Sequence, residues 1–418
     1  MKVCFIVDAR SPIARNWIAY FIGRGYEVHV LSTYPCLPDA LPGASLYEVP
    51  VAFSKLSRVS HAGGATATKS RPILSPLLAS VRSGALSNIS LAAHLWLTPL
   101  ELRRHVQPTG DLIAKISPDL VHAMRIPFEG VLAARAMPAG MRLLISVWGN
   151  DFTLCASNNP LVARQTRLAL RRADALHCDC RRDLNLAVRE WGFDPQKPSV
   201  TLPGAGGVQP SLFYAGEPDA ALGRQLGISD RAPVVINPRG FRGYVRNDVF
   251  FRAIPHVLLD HPDAIFVCTG MQSNPVAEGW ARRLAIEDSV RLLPLVSRER
   301  MADLFRAARV AVSPSLHDGT SNSLLEALAC GCFPVAGDIE SVREWIEDGY
   351  NGLLCDPDDS RSVARAITRA LADERLRDRA RGHNLRLIAE RAEYGEVMRQ
   401  AEEFYARIAR RRPQPIEV

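Results

Sequence analysis

The chain has 418 residues, 47% of them hydrophobic, which is more than one ordinary domain core holds and suits two. No run reaches the roughly 18 apolar residues of a membrane span. The net charge of +7 is mostly arginine, and no lysine follows Lys197; such a balance suits phosphate-bearing ligands or an anionic membrane surface. No motif of a nucleic-acid reader accompanies it. The nine cysteines are scattered through apolar runs, and Cys178/Cys180 and Cys330/Cys332 are spaced too closely for a zinc site. Reduced thiols, no metal and a cytoplasmic protein are the expectation.

In chain order, residues 2–7 form an apolar strand without a preceding basic segment and cleavage site, so no signal peptide is expected. Asp8-Ala9-Arg10-Ser11-Pro12 is a loop, 13–24 a helix stopped by Gly25, and 27–32 a second strand. This βαβ start lacks G-x-G-x-x-G, which gives a dinucleotide site little support. Residues 52–107 mix Lys55, Arg58, Lys69, Arg71, Arg82, Arg103 and Arg104 with Ile73, Leu74, Leu95 and Trp96. They read either as a basic amphipathic surface for lipid or a lipid-linked acceptor or as a helical pair with a solvated basic face. Residues 119–123 and 143–147 are strands; Trp148-Gly149-Asn150-Asp151 follows the second, and Asp151 either meets a ligand or caps a helix. After a strand at 176–179 and a helix at 182–191, the glycines around 204–207 suit an interdomain linker.

The second half alternates strands at 233–237, 264–269, 290–293, 310–312 and 333–336 with helices near 248–259, 275–285, 299–307 and 340–347. That alternation predicts a parallel sheet. Helices at 360–373 and 375–410 follow, the latter long and amphipathic, with Arg407, Arg410, Arg411 and Arg412 as a basic end. Asp356-Pro357-Asp358, the only Asp-x-Asp, reads as a turn and cap rather than a metal motif. A Schiff-base lysine for pyridoxal phosphate is absent from this half.

The most informative stretch is 310–337. A buried strand ends at Ser313-Pro314, a polar loop runs from His317 to Asn322, a helix carries Leu324, Leu325 and Leu328 on one face, and Gly331 stops it before the next strand. Ligands of parallel sheets sit beyond the strand carboxyl ends, against helix N-termini. The amides of Gly319, Thr320, Ser321, Asn322 and Ser323 can face an anion, assisted by the helix dipole. Glu326 can accept two hydrogen bonds from a vicinal diol such as a ribose, and Asp318 can meet a polar ligand from the other side. The plainer alternative is that Ser321 or Asn322 only caps a helix and Glu326 is a surface residue.

This run resembles the donor-site signature of retaining GT-B glycosyltransferases of the glycogen-synthase and phosphatidylinositol-mannosyltransferase type: Glu, seven residues, Glu, then Ala-x-Ala-x-Gly-x-Pro-Val. Glu326, Ala327, Ala329 and Gly331 match; Pro334 and Val335 come one residue late, and the first acid is Asp318 instead of Glu. Asp348-Gly349-Tyr350-Asn351-Gly352-Leu353-Leu354 resembles the family's following turn and strand. The resemblance implies an α/β GT-B fold of two Rossmann-like domains facing across a cleft: an acceptor-side domain at 1–205, a donor domain at 206–385, and a last helix with basic tail at 386–418 crossing back to the first. It implies transfer of a sugar from a UDP- or GDP-linked donor to a sugar, lipid-linked or other hydroxyl acceptor, with retention, in polysaccharide or glycoconjugate synthesis; the motifs add the expectation of no metal and no further cofactor, and the basic and apolar mixture at 52–107 that of peripheral contact with an anionic membrane.

Residue by residue, the family places Glu326 on ribose, the 319–323 loop on phosphate and sugar, and Asp318 and a strand-end His, here His122, on the donor sugar. An Arg after the first strand of the second domain, here Arg239, and a Lys hold the diphosphate. Arg246 stands nearest the Lys, with Arg242 its rival; an Arg can grip a diphosphate through its fork. Ser11, Asn150 and Asp151 fall on acceptor-side loops. The rival functions are a nucleotide-sugar epimerase on the same fold and a non-catalytic nucleotide-sugar sensor.

Overall fold

The computed structural model describes residues 1–37, 39–49, 51, 85–229 and 232–410; for 85–100 and 220 it describes the backbone alone. The expected basic surface from Lys55 to Arg82, and the tail beyond Arg410, lie outside the described residues. The chain divides into two compact units, residues 1–179 with 183–205 and 398–418, and residues 180–182 with 206–397.

The first unit holds seven parallel strands: β1 (Lys2–Val7), β2 (Glu27–Ser32), β3 (Ser45–Glu48), β4 (Leu120–Ala123), β5 (Leu143–Val147), β6 (Ala175–Cys178) and β7 (Ser199–Thr201), in the order β3-β2-β1-β4-β5-β6-β7. β3 and the helix Pro160–Arg172 were not anticipated; four residues of Ser, Leu, Tyr and Glu carry too little apolar signal for a strand. The helix Pro12–Gly23 begins where Ser11 caps Ala14 and proline takes the first turn. Its buried Ala14, Trp17, Ile18 and Phe21 repeat at helical spacing and close one face of the sheet.

The second unit has six strands: β8 (Val234–Asn237), β9 (Ile265–Cys268), β10 (Val290–Leu292), β11 (Val310–Ser313), β12 (Phe333–Gly337) and β13 (Leu353–Cys355), all parallel, in the order β10-β9-β8-β11-β12-β13. Alternate residues feed two cores. Val235, Val310, Val312, Phe333 and Val335 enter one, while Val234, Ile236, Ala311 and Ala336 enter the other. A sheet buried on both faces needs such near-continuous apolar strands, which is why these read so clearly in the sequence.

The helix expected over 375–410 is two helices, Glu374–Arg391 and Tyr394–Arg410. The break has a cause: the Glu393 carboxylate accepts from the amides of Gly395 and Glu396 (2.9 and 2.8 Å) and so caps a new helix. Val208 brackets it, donating to Ala392 O and accepting from Tyr394 N. The segment that belongs with the first unit therefore starts at Met398 rather than 386. All nine cysteines are unbonded, and all but Cys36 are buried.

Candidate functional site

In both units the strand order reverses once, between β1 and β4 and between β8 and β11. The two loops leaving the strands at such a reversal diverge and open a crevice. In the second unit these loops carry Arg239, just after β8, and Asp318 to Ser321, after β11.

Arg239 joins the two loops. Its Nη2 pairs with Asp318 Oδ2 at 2.7 Å, and its Nη1 donates to Ser321 Oγ (2.5 Å) and Ser323 Oγ (3.3 Å). The β8 loop is held in turn by Asn237, which donates to Asn247 Oδ1, and by Asn247, which donates to Gly240 O. Thr320 accepts from Trp345 Nε1 at 3.1 Å, and Ser341 Oγ donates to Asp318 O at 2.7 Å. Burial raises the Asp318 carboxyl above its ordinary value, opposed by Arg239 and then Arg242. A small cavity lies among Pro238, Ser313, Ser315, Asp318, Ser321 and Ser323.

The helix Asn322–Ala329 starts without a side-chain cap, because the Ser321 hydroxyl is engaged by Arg239 and Ser323 instead. The amides of Thr320, Ser321, Asn322 and Ser323 meet no protein acceptor among the described residues. Unfilled amides at a helix start, beside a guanidinium, form an anion cradle. Glu326 lies one turn further on, its side chain 20% exposed, with Arg298 Nη2 at 3.8 Å. Burial pushes its carboxyl up to about 7, against the pull of Arg298.

The two rival arginines are distinguished by their partners. Arg246, in left-handed backbone at φ 53°, pairs with Asp248 at 3.1 Å and with Asp358. Its guanidinium is thus held by two carboxylates, Asp248 in the first turn of the helix Asn247–Asp260 and Asp358 just before the helix Ser360–Ala372. Arg242 is exposed, donates to Tyr244 Oη at 3.0 Å, and lies close enough to Asp318 to affect its ionisation. Of the Asp-x-Asp acids, Asp356 Oδ1 accepts from Asp358 N and Asp358 pairs with Arg246, while the following residue, Asp359, caps the next helix.

His122 requires a correction. It was expected at a strand end facing a sugar, but it is fully buried on the sheet face beneath the helix Pro12–Gly23. Both ring nitrogens are taken, Nδ1 by Tyr405 Oη and Nε2 by Ser146 Oγ (2.7 Å). The hydroxyl of Ser146 also meets His177 Nδ1 (2.8 Å), and His177 Nε2 meets Leu202 O (2.8 Å). A carbonyl only accepts, so His177 carries its proton on Nε2 and takes one from Ser146. Ser146 then accepts from His122 Nε2–H, His122 Nδ1 accepts from Tyr405, and Tyr405 accepts from Trp17 Nε1–H (2.9 Å). Every group is satisfied with both imidazoles neutral. Desolvation accordingly lowers both, His177 to about 4. This relay is part of the core.

At the β1/β4 reversal of the first unit a polar cluster replaces it. Asp8 pairs with Arg10 through two hydrogen bonds of 3.0 and 3.1 Å, and the Arg10 guanidinium lies 4.0 Å from the centre of the Tyr34 ring. Arg125 donates to Asp151 Oδ1 at 2.8 Å, and Asp151 Oδ2 accepts from the amides of Ile126 and Trp148. Asp151 is buried and so braces two loops rather than presenting its carboxylate; Ser11 is likewise a helix cap. Asn150 keeps one buried oxygen without a partner. Glu129 Oε1 accepts from Thr33 (2.8 Å), its Oε2 is buried and unpartnered, and burial pushes its carboxyl up to about 7.

Arg10, Arg125 and Glu129 were not anticipated. Arg125 immediately precedes, and Glu129 sits on, one π-helical turn, Ile126–Gly130, and Asp151 begins another, Asp151–Ala156; such wide turns concentrate at functional sites. Gly130 permits the first: its amide donates to Arg125 O at 2.6 Å, where a Cβ would meet that oxygen at 2.9 Å. The glycine seven residues past the strand was the available signal.

A family model described as Glycosyl transferases group 1 matches residues 220–384, and one described as Glycosyl transferase 4-like domain matches 11–204. The chain is 32% identical over 226 residues to a D-inositol 3-phosphate glycosyltransferase of Geodermatophilus obscurus, covering 52% of this chain and 48% of that protein. It is 30% identical over 254 residues to one of Xylanimonas cellulosilytica, 58% of each. The chain spans about half the length of the curated relatives it matches. Its fold is that of sucrose-phosphate synthase from Thermosynechococcus elongatus, at TM-score 0.73, 17% identity, and 98% and 99% coverage of the two chains. Anabaena HepE, solved with UDP and glucose, gives TM-score 0.70 at 16% identity, with 97% and 100% covered. Two parallel sheets and family models matching both halves lead to one conclusion: the chain belongs to the group 1 glycosyl transferases of GT-B fold.

Proposed function

We propose that the protein transfers a sugar from a nucleotide-sugar to a hydroxyl acceptor, with retention of configuration and without a metal, in the assembly of a polysaccharide or other glycoconjugate. The observation that carries this reading is the set of open amides at 320–323 beside Arg239, with a half-buried Glu326 one turn away. An anion and a diol at that separation describe a nucleoside diphosphate. In this reading the Glu326 carboxylate takes both ribose hydroxyls. Arg239, Arg242 and the cradle amides take the diphosphate and oppose the charge that grows on it as the glycosidic bond breaks. Asp318, fixed by Arg239, orients the sugar. When the incoming hydroxyl approaches on the face of the departing phosphate, that phosphate receives its proton and no protein base is needed. The acceptor lies on the Arg10–Arg125–Glu129 edge of the first unit.

The ligands named in the structures of similar fold, UDP and UDP-glucose, make uridine the first base to test, with guanosine second. The experiment is a thermal-shift screen of the full chain over UDP- and GDP-sugars, followed by mass spectrometry of the best donor with and without polyol acceptors. A donor held at 100 times its dissociation constant stabilises by about 2.7 kcal/mol. Stabilisation by none of them refutes the proposal. A new nucleotide-sugar formed without acceptor would make the protein an epimerase instead.

A further inference from the structure

The parallel strands β11 and β12 present the donor loop at their carboxyl ends. At their amino ends, roughly 13–17 Å away for strands of four or five residues, lies a separate polar cavity of about 170 Å³. Four arginines line it, Arg306, Arg309, Arg377 and Arg381, against a single acid, Asp378. Like charges gathered in one concavity repel and are kept only where something offsets them.

Two of the four are offset by the fold. Arg306 pairs with Asp303 at 2.5 Å, donates to Leu212 O and stacks on Tyr214. Arg377 donates to Ala370 O and Leu371 O at 2.6 and 2.7 Å, closing the end of the helix Ser360–Ala372, where a cation also suits the helix dipole. The other two face solvent: the exposed side chains of Arg309 and Arg381 have no hydrogen bond or ion pair among the described residues, so water alone offsets their charge and an anion can replace it. Arg381 lies across Gly331, whose missing side chain makes the space: a Cβ there would stand 2.9 Å from Arg381 Nε. Burial lowers the ionisation of Arg377, and the nearby charge of Arg309 adds to that. The cavity is well below the roughly 300–1,000 Å³ of pockets for drug-sized molecules, so its occupant is small.

We infer that this cavity is a second anion site, apart from the donor crevice, that takes a small phosphate-bearing ligand through Arg309 and Arg381. The forked guanidinium suits phosphate oxygens by geometry as well as by charge. The site does not depend on the proposed donor role.

The test is calorimetric titration of the full chain with inorganic pyrophosphate at fixed ionic strength. Wild type binds at two places. The double variant Arg309→Gln/Arg381→Gln loses one of them, with at least tenfold weaker binding, whereas Arg239→Ala keeps that one and loses the other. Arg365→Gln, an exposed arginine elsewhere, changes neither. If the double variant does not fold, Arg309→Gln alone weakens the same site at least threefold. The inference is overturned if the arginine-cavity variants titrate like wild type, or if Arg365→Gln weakens binding equally. Loss confined to Arg239→Ala speaks for the donor crevice and against the cavity.

Discussion

Glu326→Gln separates binding from stability in opposite directions. In the free protein the carboxyl is raised from 4.5 to about 7 by burial, so the ionised form near neutral pH is held against its desolvation. A shift of that size corresponds to about 3 kcal/mol. Because the folded value is the raised one, this group's contribution to stability is complete below pH 4.5 and is lost as pH rises through 7. Glutamine is never ionised and escapes that loss. At pH 8 the variant melts several degrees higher, at about 2–4 °C per kcal/mol for a unit of this size. Nucleotide binding moves the other way. The glutamine keeps one acceptor of two and has no charge, and losing a charged hydrogen bond costs about 1.5–3 kcal/mol, or about 10- to 150-fold in affinity. Wild-type affinity also falls below pH 7, as the carboxylate protonates, up to tenfold per pH unit. The assay is calorimetric binding of UDP and GDP from pH 5.5 to 8.5 on both proteins, so that the nucleotide's own titration cancels in the comparison. Equal affinities with parallel pH profiles, together with an unchanged melting temperature, would refute the reasoning.

Arg242→Ala lowers turnover more than donor affinity and leaves the melting temperature near wild type, whereas Arg246→Ala lowers the melting temperature, because Asp248 and Asp358 lose their shared cation; steady-state kinetics beside calorimetry reads both. Ser146→Ala leaves His122 and His177 each short of a buried partner, at about 1–3 kcal/mol apiece, and its melting temperature falls accordingly. In wild type the two imidazoles are depressed from 6.5, so the unfolded chain takes up protons that the folded one refuses; stability is kept above pH 6.5 and lost toward pH 4, the value of His177, which denaturant titrations across that range measure. Gly337→Ala would put a Cβ 2.5 Å from Ser315 O; it costs about 1–3 kcal/mol of stability and weakens nucleotide binding through the displaced β11 loop, read by the same calorimetry.

The local pattern of the sequence determined the elements and their class. Apolar strands such as 310–312 and 333–336, each followed by a polar loop and a helix stopped by glycine, specify parallel α/β halves because both faces of such strands must be buried. The loop proposed to bind the donor was legible for the same reason: Asp318 to Glu326 lies within one strand–loop–helix segment, so spacing along the chain is spacing in space. What sequence distance could not supply came from packing. His122 stands next to its strand's end, but strand parity turns it under the helix Pro12–Gly23, where Tyr405 and Ser146 use both ring nitrogens. Arg242 and Arg246 are four residues apart and chemically alike; Asp248, two residues on, and Asp358, more than a hundred positions on, both pair with Arg246, and the second of these no local reading could supply. Arg125, Asp151 and Glu129 meet because β4 and β5 are neighbours in the sheet, and the four arginines of the second cavity come from two segments far apart in the chain, 306–309 and 377–381. Contacts between distant segments depend on strand order and side-chain direction, and these are set by the whole core rather than by any one stretch of the chain.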